Sequence, residues 1–205
     1  MLLLKKETQN LITMKIEFTE SQNQFRSEIR DWFSKNVPSK PLASFDTKEG
    51  FEEHREWEKT LNQGNWSMVT WPTEYGGRAL NLIEWLIFEE EYYRANAPAR
   101  VNQNGVFLLG PTLMEYGTDD QKSKFLSAMA EGDHIWSQGW SEPNAGSDMA
   151  AIRATAFRNN DTFIINGQKT WSSRAAFADW TFGLFRSDPE SERHRGLSFI
   201  LVPLD

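Results

Sequence analysis

The sequence predicts an α+β protein, an all-α N-terminal domain followed by an antiparallel β-domain, with the change near Asp133. Three features carry that expectation. Through the first two thirds of the chain, apolar residues recur at helical spacing between capping residues and Pro or Gly stops. After Gly132 the pattern becomes short β-branched and aromatic runs divided by Asn, Asp and Gly. The chain has 205 residues, 39% of them apolar, enough to bury one large core or two modest ones. The expected division is a disordered leader over residues 1–13, a helical domain over 14–133 and a β-domain over 134–205. Met14 reads as a domain start better than Met1 does.

In the helical part, Thr19 and Gln22 have capping-box spacing: the hydroxyl serves the third amide of the helix and the Gln side chain serves the cap. Phe25, Ile29, Trp32 and Phe33 then share a face, which predicts a helix from about Glu20 to Lys35 that Pro38 ends. A second amphipathic run covers Phe51 to Leu61. The third, Leu82 to Asn96, aligns Leu82, Trp85, Leu86, Glu89, Tyr92 and Tyr93 in one stripe. Because Glu89 to Glu91 are consecutive acids spread around the helix, Glu89 reads as part of a solvated or salt-bridged face rather than as a buried functional acid. Trp71 to Gly77 is a loop by its Pro and paired Gly. Val101 to Tyr116 is too apolar for a surface loop and is expected to run through the interior. Thr118 and Gln121 repeat the capping box, with Asp119 and Asp120 in the first turn, and open a helix through Phe125, Leu126 and Met129 that Gly132 stops.

The β part begins with Ile152 to Phe157 and Thr162 to Ile165 around the turn Arg158 to Asp161. Asn166-Gly167 then has the residues of a type I′ hairpin leading into a strand from Gln168 to Ser173. Thr181 to Phe185 and Leu197 to Val202 add two more strands, separated by a charged loop from Ser187 to Arg195. With strand pattern running almost to Asp205, the sheet is expected to keep unpaired edges, and the sequence reads as cut short.

Charge and composition narrow the function. With 22 basic against 29 acidic residues and a basic cluster only at Arg193 to Arg195, the chain is not expected to bind nucleic acid. The absence of Cys excludes disulfides, thiolate catalysis and Cys-ligated metals. His54, His134 and His194 lack the close spacing of a helical metal motif, so no metal is expected. No stretch approaches the ~18 apolar residues of a bilayer span, and Leu2 to Leu4 is too short for a secretory signal. A cytoplasmic location follows by default.

The run Trp136 to Asp148 lies at the domain junction and is rich in hydroxyls and exposed backbone. Two readings stay open: a well-made interdomain turn, or a loop for a planar ligand with phosphates, where Gly146 admits close approach and Ser147 and Asp148 cap a following turn. Trp171 and Ser173 are two apart, so in a strand they would project from one face, offering a flat surface and a hydroxyl. The alternative there is a Trp that covers a core.

Gly139-Trp140-Ser141-Glu142-Pro143-Asn144-Ala145-Gly146-Ser147-Asp148, Asn166-Gly167-Gln168-Lys169-Thr170-Trp171, Trp71-Pro72-Thr73-Glu74-Tyr75-Gly76-Gly77, and Tyr116-Gly117-Thr118 with Gln121-Lys122 together resemble the acyl-CoA dehydrogenase family in order and spacing, over about Lys15 to Asp205. Trp140 departs from the aliphatic residue of many members and puts straight-chain substrates in doubt. The resemblance implies a helical domain, a middle β-domain and a C-terminal helical bundle, with only the first two present here, and FAD as cofactor. It places Gln138, Trp140 and Ser141 along the flavin ring, Gly146 and Ser147 near the FAD phosphates, Trp171 on the ring face opposite the substrate and Ser173 near its N5 and O4 edge. Ser147 would also contact the CoA portion of the substrate, and Gln103 the acyl pocket. The implied reaction removes hydrogens from Cα and Cβ of an acyl-CoA thioester, with electrons passing to an electron-transferring flavoprotein and the chain working in a homo- or hetero-oligomer. The catalytic base is expected beyond Asp205, and neither Glu142 nor Glu89 matches it. Two alternatives accompany this reading: a short non-catalytic relative acting as a binding or partner subunit, and a related flavoenzyme with a non-thioester substrate.

Overall fold

The computed structural model describes residues 17–204; the expected leader, the alternative start at Met14 and the terminal Asp205 lie outside the described residues. A helical region made of α1 (Glu20–Asn36), α2 (Lys48–Gln63), α3 (Leu82–Arg94), α4 (Gly110–Tyr116) and α5 (Asp119–Ala130) precedes a sheet. Both predicted capping boxes form, at Thr19 with Gln22 and at Thr118 with Gln121. A third, Asn81 with Glu84, opens α3. α2 starts at Lys48, ahead of the expected Phe51, because the Thr47 hydroxyl accepts from the Gly50 amide. Among the described residues, no helix is long and apolar enough to cross a membrane.

α3 buries only part of the expected stripe, Tyr92 fully and Trp85 in part. Leu82 and Tyr93 are 71% and 72% exposed, while Ile87, Phe88, Glu91 and Tyr92 face inward. Charge sets this rotation: Glu91 receives Arg26 and Arg30 from α1 at 2.6 Å each and Arg94 from its own helix at 2.9 Å. Burial resists ionisation of Glu91, but the guanidiniums of Arg30 and Arg26 outweigh it and hold the carboxyl below the usual carboxylate range. The interior segment also divides. A π-helical turn over Gly105–Leu109 leads into α4, burying Val106 and Leu109 while Phe107 and Leu108 stay partly exposed. The Trp71 indole donates to the Val106 carbonyl at 3.1 Å, pinning that wide turn.

The strands are β1 (Trp136–Gly139), β2 (Thr155–Asn159), β3 (Thr162–Asn166), β4 (Trp180–Arg186) and β5 (Leu197–Pro203). The sheet is mixed and open rather than purely antiparallel, in the order β1-β4-β2-β3 with β5 also on β4. β5 runs antiparallel along the whole of β4. β1 and the start of β2 pair in parallel with β4, so they share its other edge in succession. β2 and β3 form an antiparallel hairpin whose turn uses Asn160 at φ 55°. The Asn166-Gly167 turn is not type I′: Asn166 takes no positive φ, and Gly167, at φ 150°, lies where a Cβ would come within 2.6 Å of the Ala154 Cα. The glycine is required by a close backbone crossing.

One core joins helices to sheet through Leu109, Leu113, Phe125, Leu126 and Met129 against Trp136 and Phe182. A second lies among α1, α2 and α3 around Ile29, Phe33, Trp57 and Phe88. Between them runs a polar seam. Glu58 accepts from Arg100 and from the amides of Val101 and Asn102. Asn102 in turn donates to the Met129 and His134 carbonyls and accepts from the Trp136 amide, which fixes β1 to α5.

Candidate functional site

Trp136 to Gly139, expected as part of a loop, is the strand β1, because Ser137 and Gln138 find backbone partners in Thr181 and Phe182 far along the chain. Gln138 is therefore set half-buried at the end of a rigid element. Past Gly139 the chain leaves the sheet, and reciprocal backbone bonds between Glu142 and Ala145, 2.8 and 3.1 Å, close a turn that exposes Pro143 and Asn144.

Glu142 turns inward from that loop. Its Oε2 accepts from the Arg153 amide at 2.7 Å, and its Oε1 from the Ala154 amide at 2.9 Å and from Lys169 Nζ at 3.0 Å. Burial works against the charged form, yet the two amides and the ammonium prevail and keep the carboxyl below its ordinary range. A carboxylate held in this way is a structural anion, not a base. Lys169 makes the other half of the clasp: its ammonium also donates to the carbonyls of Trp140 at 3.2 Å and Leu184 at 2.7 Å. The Thr170 amide adds a bond to the Ser141 carbonyl at 2.9 Å. Loop 140–148 and the segment after β3 thus meet at Ser141 and Thr170.

The expected strand from Gln168 to Ser173 does not form, so Trp171 and Ser173 do not share a strand face. Drawing the Lys169 ammonium into three oxygens takes the chain off the sheet. Trp171 at φ 58° and Arg174 at φ 70° then curl it, with the Ser173 amide donating to the Trp171 carbonyl at 2.9 Å. The Trp171 ring is 87% exposed, which removes the core-covering alternative. Ser173 instead lines a cleft with Phe45 and Phe177.

Gly146 and Ser147 are exposed, and a Cβ on Gly146 would meet nothing within 4 Å. Ser147 and Asp148 do not cap the short turn Met149–Ala151 with their side chains; Asp148 accepts from Arg193 at 3.3 Å instead. Gln103 is tied to the 171–174 segment, its Oε1 accepting from Arg174 at 3.0 Å, and it makes no bond to Ser147. The hydroxyls of Ser141, Ser147 and Ser173 have no hydrogen-bond partner among the described residues, and the Trp140 indole N–H is buried without one. Free hydroxyls, an orphaned indole donor, an exposed flat ring and open space at Gly146 fit a planar heterocycle carrying phosphates.

Sequence reasoning missed Lys169 and Arg174 and read Glu142 only as a residue that is not the base. Nothing local marks a lone Lys between Gln168 and Thr170; its role depends on carbonyls brought from β4 and from the 140 loop.

Residues 19–133 match the family model described as acyl-CoA dehydrogenase, N-terminal domain, and residues 137–205 match acyl-CoA dehydrogenase, middle domain. The acyl-CoA dehydrogenase IpdE1 of Mycolicibacterium smegmatis is 43% identical, with 89% of this chain and 50% of that protein covered. Among solved structures, the Tcur3481-Tcur3483 steroid ACAD superposes with a TM-score of 0.78 at 33% identity, covering 93% of this chain and 49% of that one. The ChsE4-ChsE5 complex from Mycobacterium tuberculosis does so at 0.73 and 36% identity, covering 93% and 48%. The chain spans about half the length of the curated relatives it matches.

Proposed function

The chain belongs to the acyl-CoA dehydrogenase family, whose members bind FAD, and on that premise we propose that it forms one wall of a site where an acyl-CoA thioester is oxidised to the 2-enoyl-CoA. The observation that carries this reading is the Lys169 clasp, which joins the Ser141 loop to the Trp171 segment and leaves their hydroxyls and ring free. When bound, FAD supplies the acceptor for the β-hydrogen, taken as hydride.

This chain's residues position and shield. Gln138, Trp140 and Ser141 would lie along the flavin ring, with the free Ser141 hydroxyl as a hydrogen-bonding group at its edge. Gly146 and Ser147, exposed and with open space beside Gly146, would receive the phosphates, and Ser147 also the CoA portion. Trp171, 87% exposed, would cover the ring face away from substrate when the flavin is bound, and Ser173 would offer its hydroxyl to the ring edge. Excluding water strengthens every such contact. Gln103 belongs to the acyl side. No residue of 17–204 is assigned the α-proton, because Glu142 is spent on two amides and Lys169; the base comes from outside these residues.

A bulky acyl group and a hetero-oligomeric assembly fit the steroid ACAD pair and the ChsE4-ChsE5 complex among the similar structures, and Trp140 points the same way. Electrons then leave to an electron-transferring flavoprotein, in a cytoplasmic setting. The test is anaerobic: acyl-CoA thioesters added to the complete flavin-loaded protein should bleach the flavin absorbance, and a flavin that stays oxidised with every thioester tried rules the reading out.

A further inference from the structure

Resting on the reading that sets phosphates at Gly146 and Ser147, we propose that Arg186 is the positioning residue that gives this turn its phosphate-receiving shape. Neither Gly146 nor Ser147 makes a hydrogen bond among the described residues, so the turn is fixed through the segments that flank it. Ahead of it, Glu142 holds the amides of Arg153 and Ala154. Behind it, Arg186 reaches from the end of β4 and donates through all three guanidinium nitrogens. Nη2 meets the Ala150 carbonyl at 3.0 Å, Nε that of Ile152 at 3.4 Å, and Nη1 those of Ser191 and Arg193 at 3.4 and 3.3 Å.

Four carbonyls from two separate segments thus close on one guanidinium. Ala150 and Ile152 belong to the stretch that follows the turn, Ser191 and Arg193 to the loop between β4 and β5. The Ile152–Arg153 peptide is gripped at both its polar groups, its carbonyl by Arg186 and its N–H by Glu142, which links this hub to the Lys169 clasp. Gly196 packs against the guanidinium, where a Cβ would come within 2.9 Å of Nη1. No carboxylate pairs with Arg186 among the described residues. The ion pair that also joins the two segments, Arg193 to Asp148 at 3.3 Å, is exposed at both ends and contributes little. Arg186 is therefore what fixes them together. Its planar fork lets one side chain span both, whereas a Lys ammonium is a point donor on a flexible stem. Without that span the turn is loose, and a phosphate arriving there must order it, which weakens binding.

The probes are paired by the presence or absence of phosphate. FAD is set against riboflavin in the complete protein stripped of flavin, and CoA against pantetheine in the flavin-loaded protein, each with any partner chain that co-purifies. Arg186→Gln should weaken FAD, CoA or both about tenfold, the size of a lost hydrogen bond plus the ordering of a loop, and leave riboflavin and pantetheine unchanged. A loss confined to FAD assigns the turn to the flavin's pyrophosphate, and one confined to CoA assigns it to the phosphates of CoA; either supports the proposal. Arg186→Lys keeps the charge without the span and should lose nearly as much, and it gives the same reading if Arg186→Gln does not fold. Wild-type affinity in Arg186→Lys overturns the positioning role. So does equal weakening of phosphate-bearing and phosphate-free probes, which marks general damage to the sheet. Unchanged affinity for all four probes overturns the proposal and leaves the thioester reading standing; a wild type that binds neither FAD nor CoA overturns both.

Discussion

At the scale of single residues, Glu142 shows why a carboxylate inside a candidate active site need not be catalytic. Its oxygens are filled by two amides and an ammonium, and its side chain is 9% exposed against 13% for Lys169. Glu142→Ala would leave that ammonium buried without a counter-charge and should cost about 3 kcal/mol, read as a lower urea midpoint. The pH dependence has a definite sign. Because the folded carboxyl ionises below its unfolded value, its contribution is fully present above the unfolded range of about pH 4 and is lost as pH falls through the folded value. The stability gap between wild type and Glu142→Gln should therefore hold steady near neutrality and narrow in acid. A gap that widens on acidification would refute the assignment.

At the scale of elements, what was legible depended on how local the cause is. The boxes at Thr19 and Thr118 are each settled within one turn of helix, and both form as read. β1 was not legible, since Trp136 to Gly139 becomes a strand only by pairing with β4 some forty residues on. The strand predicted over Gln168 to Ser173 failed for a related reason: its propensity was outweighed by oxygens that the clasp gathers from elsewhere. Thus the backbone that presents the proposed site residues was not legible in the sequence, because long-range partners build it. The face of α3 was misjudged because Glu91 counts as polar until three arginines meet it. Those contacts make a checkable claim about how α1 and α3 hold together. Glu91→Ala should leave Arg26, whose side chain is 11% exposed, with Glu90 at 2.8 Å as its remaining carboxylate and release Arg30 from α3, destabilising the helical region by about 2 kcal/mol. Hydrogen exchange should show the loss first in α1 and α3, and protection lost only in β2 and β3 would contradict it.

At the scale of the molecule, the described residues include two groups of apolar side chains that the fold leaves open. One is the outer face of α3 with the π-helical turn, where Leu82, Ile83, Leu86, Tyr93, Phe107 and Leu108 are each at least 38% exposed. The other is the β2–β3 hairpin, with Phe157, Phe163 and Ile164 at 44–51%. At the hairpin the backbone is open as well, because the strand order ends at β3. An unpaired strand edge beside exposed aromatic and β-branched side chains is a template for further pairing. The net charge of −7 opposes association, but at physiological salt it is screened beyond about 8 Å, whereas strand pairing acts at contact. The 205-residue chain on its own should accordingly self-associate, with a weight-average mass that rises with concentration in sedimentation. Phe163→Lys should suppress that rise without lowering the melting temperature, since the side chain is half exposed and stands on an edge strand. Leu82→Lys separates the two areas: it should leave hairpin-driven association unchanged. If Leu82→Lys disperses the chain and Phe163→Lys does not, α3 and not the sheet edge is the adhesive surface.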